Sequence, residues 1–234
     1  MQSWVAFMEK AGPIGIAIIL CSVIALFIII ERVLAYRALR LKDPRLFHRL
    51  RKRAQEGQFA EASAMVRGER HPWAVAMTEV LARLESKNRG TDRVALEKTF
   101  SHTATREVRK MERFLPTLYL IASISPLLGL LGTVAGMIKA FQAIENLGGK
   151  VDSSVLAGGI WEAMLTTALG LGVAIPAMVA HNYLQGKVHT LVADMKEETG
   201  AFLDALEDAG QLGVEEKKGP GTVHSVAGGV REVK

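Results

Sequence analysis

The chain of 234 residues contains one cysteine, Cys21, and only 6% of its residues are aromatic. A single thiol offers neither a disulfide framework nor a cysteine metal cluster. The sequence also lacks a Gly-x-Ser-x-Gly motif, a phosphate-binding loop and histidines at the spacing of a metal site. We therefore expect no enzyme activity, no metal and no cofactor.

Hydrophobic residues, 49% of the chain, and charged residues, 23%, occupy separate blocks. Three windows, 13–36, 114–141 and 157–184, approach the roughly 20 apolar residues that a helix needs to cross a bilayer. The first has no charged residue from Ile14 to Ile30. It is too long for the core of a cleaved signal peptide, so we expect a retained transmembrane helix.

The distribution of charge predicts the orientation. Between Arg37 and Arg113 the sequence has 19 basic and 10 acidic residues, whereas the connection 142–156 has one lysine and two acids. By the positive-inside rule the long segment is cytoplasmic, so the N-terminus is periplasmic and the C-terminus cytoplasmic. The pI of about 9.4 then indicates contact with the anionic membrane lipids of the inner leaflet. No aromatic-plus-basic motif favours nucleic acid.

Outside these windows, apolar residues recur at helical spacing among charges, from 42 to 87, from 92 towards Pro116, and from Tyr183 to Leu206. We expect an all-α membrane protein with three transmembrane helices, in which spans two and three extend into a cytoplasmic helical domain. The predicted division is a periplasmic segment 1–12, helix 13–36, cytoplasmic domain 37–113, helix 114–141, periplasmic loop 142–156, helix 157–184, cytoplasmic extension 185–209 and a disordered tail 210–234.

Small residues three or four positions apart form one stripe on span two and another on span three. Such stripes permit close helix contact, and we expect the glycines to be packing residues. Prolines within the spans should bend them or release carbonyls. The packing residues expected are Gly129, Gly132, Gly136, Gly170, Pro126 and Pro176.

Glu162 is an acid within span three, and an acid in hydrocarbon marks a functional site by default. The alternative is a structural carboxylate paired with a neighbouring subunit or another protein. Counting from the outer ends at about 1.5 Å per residue places Thr133 roughly 9 Å and Thr167 roughly 15 Å deep, in neighbouring layers of one lining. Simple hydrogen bonding between helices is the alternative role for both threonines. Thr166 could replace Thr167 in such a lining.

Two segments carry a resemblance to a known family. PLLGLLGTVAGM from Pro126 to Met137, and EAMLTTALGLGVAIPA from Glu162 to Ala177, resemble the signature segments of the MotA/TolQ/ExbB proton-channel family. The segment MEKAGP from Met8 and the exit Ile30-Glu31-Arg32 also resemble the ExbB/TolQ branch. The similarity extends over about residues 1–206, and His181 departs from the tyrosine often found at its position.

The resemblance implies a homopentamer around a dimer of a single-span ExbD/TolR-like partner, whose membrane aspartate enters the pore. By motif position, Thr133 and Thr167 match the pore threonines, and Glu162 matches the glutamate of the third span. The implied function is ExbB-like: a proton-channel subunit that uses the proton-motive force to drive TonB-dependent outer-membrane transport. The alternatives are a TolQ-like subunit acting with a TolA-like protein, a gliding-motility motor, or a passive helical membrane scaffold.

Overall fold

The computed structural model describes residues 2–39, 45–86, 92–146 and 153–212, and every regular element in these ranges is an α-helix. The tail beyond residue 212 and residues 147–152 of the predicted loop lie outside the described residues. The helices are α1 (Gln2–Ala38), α2 (Leu46–Gln55), α3 (Phe59–Val66), α4 (Pro72–Ser86), α5 (Arg93–Glu112), α6 (Leu115–Asn146) and α7 (Ser153–Asp208).

Three stretches of helix are long and apolar enough to cross a membrane: they fall within Gly12–Ala38, Arg93–Asn146 and Leu156–Asp208. Between 22% and 33% of each apolar window is buried inside the chain, so lipid or other chains must cover the rest. The second and third stretches continue into a charged helical region. The predicted fold class, an all-α protein with three membrane helices, is confirmed.

The first membrane helix begins at a kink in α1. Gly12 has φ 60° and ψ −171°, a conformation that glycine adopts without a side-chain clash. Pro13 follows, at the first helical position after the kink, where its missing N–H costs no hydrogen bond. The membrane-length part of α1 therefore starts at Pro13.

The charged domain consists of α2 to α5 and the C-terminal part of α7, which share one hydrophobic core. Trp73 of α4 and Phe202 of α7 are among its fully buried side chains. The Trp73 indole N–H donates to Thr199 Oγ1 at 3.1 Å, so the ring's polar atom is satisfied within the core. Gly57, with φ 75°, separates α2 from α3. The helical spacing of apolar residues in this part of the sequence did not predict the break.

The helix expected to run from about residue 92 into the membrane is almost continuous, with a two-residue turn between α5 and α6 at residues 113–114. Pro116 explains the interruption, because it has no N–H to donate to the carbonyl of Glu112. The turn leaves carbonyls at the end of α5 in need of other donors.

Arg32 supplies these donors from α1. Its Nη1 donates to Lys110 O at 2.9 Å and to Met111 O at 3.1 Å. Its side chain is 8% exposed and also pairs with Glu31. A guanidinium on the last carbonyls of a helix also meets the negative end of the helix dipole. Arg32 thus joins α1 to the boundary between membrane and charged domain.

We expect Arg32→Met to destabilise the protein by about 2–3 kcal/mol, because hydrogen bonds from a charged donor are lost at buried carbonyls. Arg113→Met is the matched control, because both guanidinium groups lie over the Phe114 ring, at 5.0 Å and 4.9 Å. Among the described residues, Arg32 and the Tyr36 hydroxyl donate to the last carbonyls of α5, and Arg113 does not. Chemical unfolding in detergent micelles, followed by circular dichroism, measures the difference. Equal losses in the two variants would contradict this role.

Candidate functional site

α6 and α7 pack antiparallel along a seam of small residues. A Cβ at Gly129 would lie 3.0 Å from Thr167 Cα, and one at Gly170 would lie 2.5 Å from the carbonyl oxygen of Ser125. Real Cβ atoms do not approach other heavy atoms as closely as 2.5 Å. The two backbones are therefore in contact, and only glycine fits at the closest points.

The seam continues towards the end of the pair remote from the charged domain. A Cβ at Gly132 would lie 2.3 Å from Thr166 Oγ1, and one at Gly136 would lie 3.1 Å from the Cβ of Ala163. Gly172 differs, since a Cβ there would meet no described residue of the chain within 4 Å. Pro126 and Pro176 lie inside α6 and α7, and both helices continue through them.

Two of the predicted threonines are half-buried and one is buried. Thr166 is 3% exposed and donates to Ala163 O at 2.7 Å, so it belongs to the seam. The half-buried Thr167 donates across the helix pair to Gly129 O at 3.1 Å. The half-buried Thr133 donates to Leu130 O at 2.7 Å. All three hydroxyl protons are therefore directed to backbone carbonyls.

Thr133 and Thr167 bind the carbonyls of consecutive residues, Gly129 and Leu130. Consecutive residues differ by about 1.5 Å along a helix, so the two hydroxyls lie at nearly the same depth, closer than the sequence count suggested. A hydroxyl that donates its proton keeps lone pairs that can accept one. In this arrangement the pair suits a neutral carboxyl group, and donation to a carboxylate requires rotation of a hydroxyl.

Glu162 has a partner within the chain. Its Oε1 lies 3.6 Å from Lys139 Nζ, and the two side chains are 33% and 62% exposed. A Cβ at Gly12 would lie 3.7 Å from Glu162 Oε1, so the pair adjoins the kink of α1. Lys139 lies near the outer end of span two in the sequence, with no local signal that marks it as the partner of Glu162. Setting the two small-residue stripes antiparallel would have brought it opposite Glu162.

In the described ranges, no group of three or more histidine, cysteine or acidic side chains is placed to hold a metal ion. The arrangement between α6 and α7 consists of glycines, hydroxyls and one ion pair. Its chemistry is hydrogen bonding and charge pairing in a close helix contact.

Comparison with known proteins identifies the family of this chain. The model of the MotA/TolQ/ExbB proton channel family matches residues 69–197. A protein named ExbB-like 3 in Synechocystis is 30% identical over 192 residues, which are 81% of this chain and 88% of that protein. The chain belongs to the MotA/TolQ/ExbB proton channel family. The resemblance found in the sequence is thereby confirmed, and the three apolar helices make this family member a multi-pass inner-membrane protein.

Other relatives match shorter parts. The Tol-Pal system protein TolQ of Haemophilus influenzae is 39% identical over 99 residues, which are 42% of this chain and 41% of TolQ. An ExbB homologue of Methanothermobacter thermautotrophicus is 32% identical over 149 residues, 64% of this chain and 50% of that protein. The chain thus spans half or less of these two relatives. Relatives named TolQ and relatives named ExbB both match, so the branch is ExbB/TolQ.

We expect Gly170→Ala to destabilise the helix pair by about 1–3 kcal/mol, because its methyl group would press on a backbone oxygen that has little freedom to move. Gly172→Ala makes the same change two residues away in open space, and should be neutral or stabilising by up to about 1 kcal/mol. Unfolding of both variants in detergent measures this difference. Similar stability of the two variants would show that the seam tolerates side chains at Gly170.

Proposed function

We propose that this chain is the proton-channel subunit of an energy-transducing motor in a bacterial inner membrane, with an ExbB-like role. The proton-motive force would drive a single-span ExbD/TolR-like partner, and through a TonB-like protein would energise outer-membrane transport. The chain itself catalyses no covalent reaction in this role. The observation that carries the proposal is the pair of half-buried hydroxyls, Thr133 and Thr167, on consecutive carbonyls of α6.

These hydroxyls suit a passing carboxyl group. Each has lone pairs free to accept from a protonated aspartate of the partner, and rotation lets either donate to the charged form. Desolvation raises the pKa of such an aspartate, which favours its neutral form in the pore. The site therefore offers polarity to both forms without a fixed charge that would trap the proton.

Thr167, rather than Thr166, is the proposed pore residue of span three. Thr166 is buried in the seam against Gly132, whereas Thr167 is only half covered by its own chain. Glu162 is proposed to brace the outer end of the path, because it already pairs with Lys139 and adjoins α1. Relay of protons by Glu162 is the alternative.

The uncovered faces of α6 and α7 support assembly. Leu127, Leu131 and Val134 of α6, and Met164 and Val179 of α7, are each at least half exposed in the single chain. Such faces require lipid or protein in a membrane. We propose a homopentamer of this chain around a partner dimer, with α6 and α7 forming the wall. The charged domain would be cytoplasmic and the N-terminus periplasmic, as the positive-inside rule predicts.

The energy scale is adequate. One proton crossing a potential of about 100 mV releases roughly 2.3 kcal/mol, so a few protons supply the work of a conformational step. A passive scaffold would need the glycine seam, but it would not need the half-buried hydroxyls of Thr133 and Thr167 beside that seam.

We expect Thr133→Val and Thr167→Val each to reduce proton flux roughly tenfold or more, since one hydrogen bond to a charged group contributes about 1.5–3 kcal/mol. The measurement is the pH change inside proteoliposomes that contain the chain with its single-span partner, under an imposed potential. Native mass spectrometry checks that the assembly is intact.

Ser123→Ala and Thr190→Val serve as controls, because both hydroxyls donate to a carbonyl four residues earlier on their own helix and lie on α6 and α7 away from the Gly129 and Leu130 carbonyls. They should leave the flux unchanged. Unaltered flux in both Thr133→Val and Thr167→Val, with intact assembly, would refute the pore assignment. If vesicles with the intact wild-type assembly conduct no protons, the result would favour the alternative function of a passive membrane scaffold.

Complementation separates the energised processes. A strain without its ExbB and ExbD tests growth on a ferric siderophore, and a strain without TolQ and TolR tests outer-membrane integrity, with the cognate partner of this chain co-expressed in both. We expect rescue of siderophore growth. Rescue of membrane integrity alone would assign the TolQ-like role, which the match to TolQ makes the second candidate.

A further inference from the structure

A pocket of about 530 Å³ lies where the charged domain meets the membrane helices, between the end of α1 and the middle of α7. Its volume is within the roughly 300–1,000 Å³ of small-ligand sites. Val33 and Leu184 contribute apolar surface, and Arg37 and Lys187 contribute positive charge. None of the described residues that line it is acidic.

His71, just before α4, lines the same pocket and has an unsatisfied polar atom. The residue is 9% exposed, and its Nδ1 has no hydrogen-bond partner among the residues that the structure describes. Burial lowers the pKa of the imidazole, although the nearby Glu69 and Asp194 carboxylates act to raise it. A buried polar nitrogen without a partner is unfavourable and requires an explanation. A bound group that accepts a hydrogen bond from Nδ1–H would supply one.

The position of the pocket indicates what such a group is. Arg37 and Lys187 follow Val33 and Leu184 by about one helical turn, so the charges lie just beyond apolar membrane-helix surface. The Lys187 Nζ lies 5.6 Å from the centre of the Tyr183 ring. Basic and aromatic side chains gather at the headgroup level of membranes. The polar end of the pocket therefore lies at the level of lipid phosphates, and its apolar end at the level of acyl chains.

We propose that this pocket binds the headgroup phosphate of an anionic phospholipid, between Arg37 and Lys187, with His71 Nδ1–H as a third donor. The acyl chains lie along the exposed apolar surface of α1 and α7. A free phosphate ion would use the same donors but leave the apolar part of the pocket empty. The proposal is independent of proton conduction, and it differs from general attraction to an anionic leaflet because it names one site.

The test uses the full-length chain in nanodiscs of phosphatidylcholine with 0 to 30% phosphatidylglycerol, a range on the order of that needed for anionic surface attraction. Native mass spectrometry counts retained phosphatidylglycerol, and thermal unfolding reports stabilisation. We expect the wild type to retain phosphatidylglycerol and to unfold at a higher temperature when it is present. The double variant Arg37→Gln, Lys187→Gln should bind it on the order of tenfold more weakly.

The matched control is Lys110→Gln with Arg113→Gln, which removes the same charges near the membrane but outside this pocket. It should bind as the wild type does, and an equal loss in both double variants would reduce the effect to general surface attraction. His71→Phe keeps a ring but removes the nitrogens; it should weaken lipid binding without lowering stability in pure phosphatidylcholine. A stability loss there, with lipid binding unchanged, would make His71 purely structural and overturn its role as a donor.

Inorganic phosphate added to phosphatidylcholine nanodiscs distinguishes the two sources of the anion, and it should not stabilise the protein. Stabilisation equal to that by phosphatidylglycerol would identify a soluble-anion site and overturn the lipid proposal. Retention of phosphatidylglycerol that does not differ between wild type and the Arg37, Lys187 variant would also overturn it, as would a second copy of the chain occupying the pocket.

Discussion

The contact between the backbones of α6 and α7 is the constraint on which the membrane part of this protein depends. At Gly170 a Cβ would collide with Ser125 O, and at Gly129 it would lie only 3.0 Å from Thr167 Cα. In a bilayer, lipid tails are as apolar as leucine, so helix association relies on close packing rather than on the hydrophobic effect. The seam fixes the register of the two helices. That register places the hydroxyls of Thr133 and Thr167 on neighbouring carbonyls and sets Lys139 opposite Glu162.

Much of this could be predicted from the sequence. Uncharged runs of about 20 residues indicate helices, which satisfy every backbone group within the segment, and a spacing of three or four residues places small side chains on one face. The motifs around Gly129 and Gly170 also indicated the protein family. Counting residues from the outer ends placed Thr133 and Thr167 in neighbouring layers, and their hydrogen bonds to consecutive carbonyls of α6 put the two hydroxyls at nearly the same depth.

Other features depend on contacts between residues far apart in the chain, for which sequence spacing gives no signal. Arg32 bonds carbonyls 78 and 79 residues away, at a turn that Pro116 alone marked only as an edge. Gly57 interrupts a stretch of helical periodicity because the chain must turn there, with φ 75°, before α3 joins the charged core. Lys139 and Glu162 likewise meet only after α6 and α7 have paired.

The length of α7 connects the contacts in the glycine seam to those in the charged core. One helix of 56 residues reaches from the glycine seam to Phe202 in the charged core. From Glu162 to Phe202 the rise is about 60 Å, so a tilt of about 5° at one end displaces the other by about 5 Å. A single helix therefore connects the glycine seam to the core of the charged domain, so a small change of tilt at one end gives a displacement of several ångströms at the other.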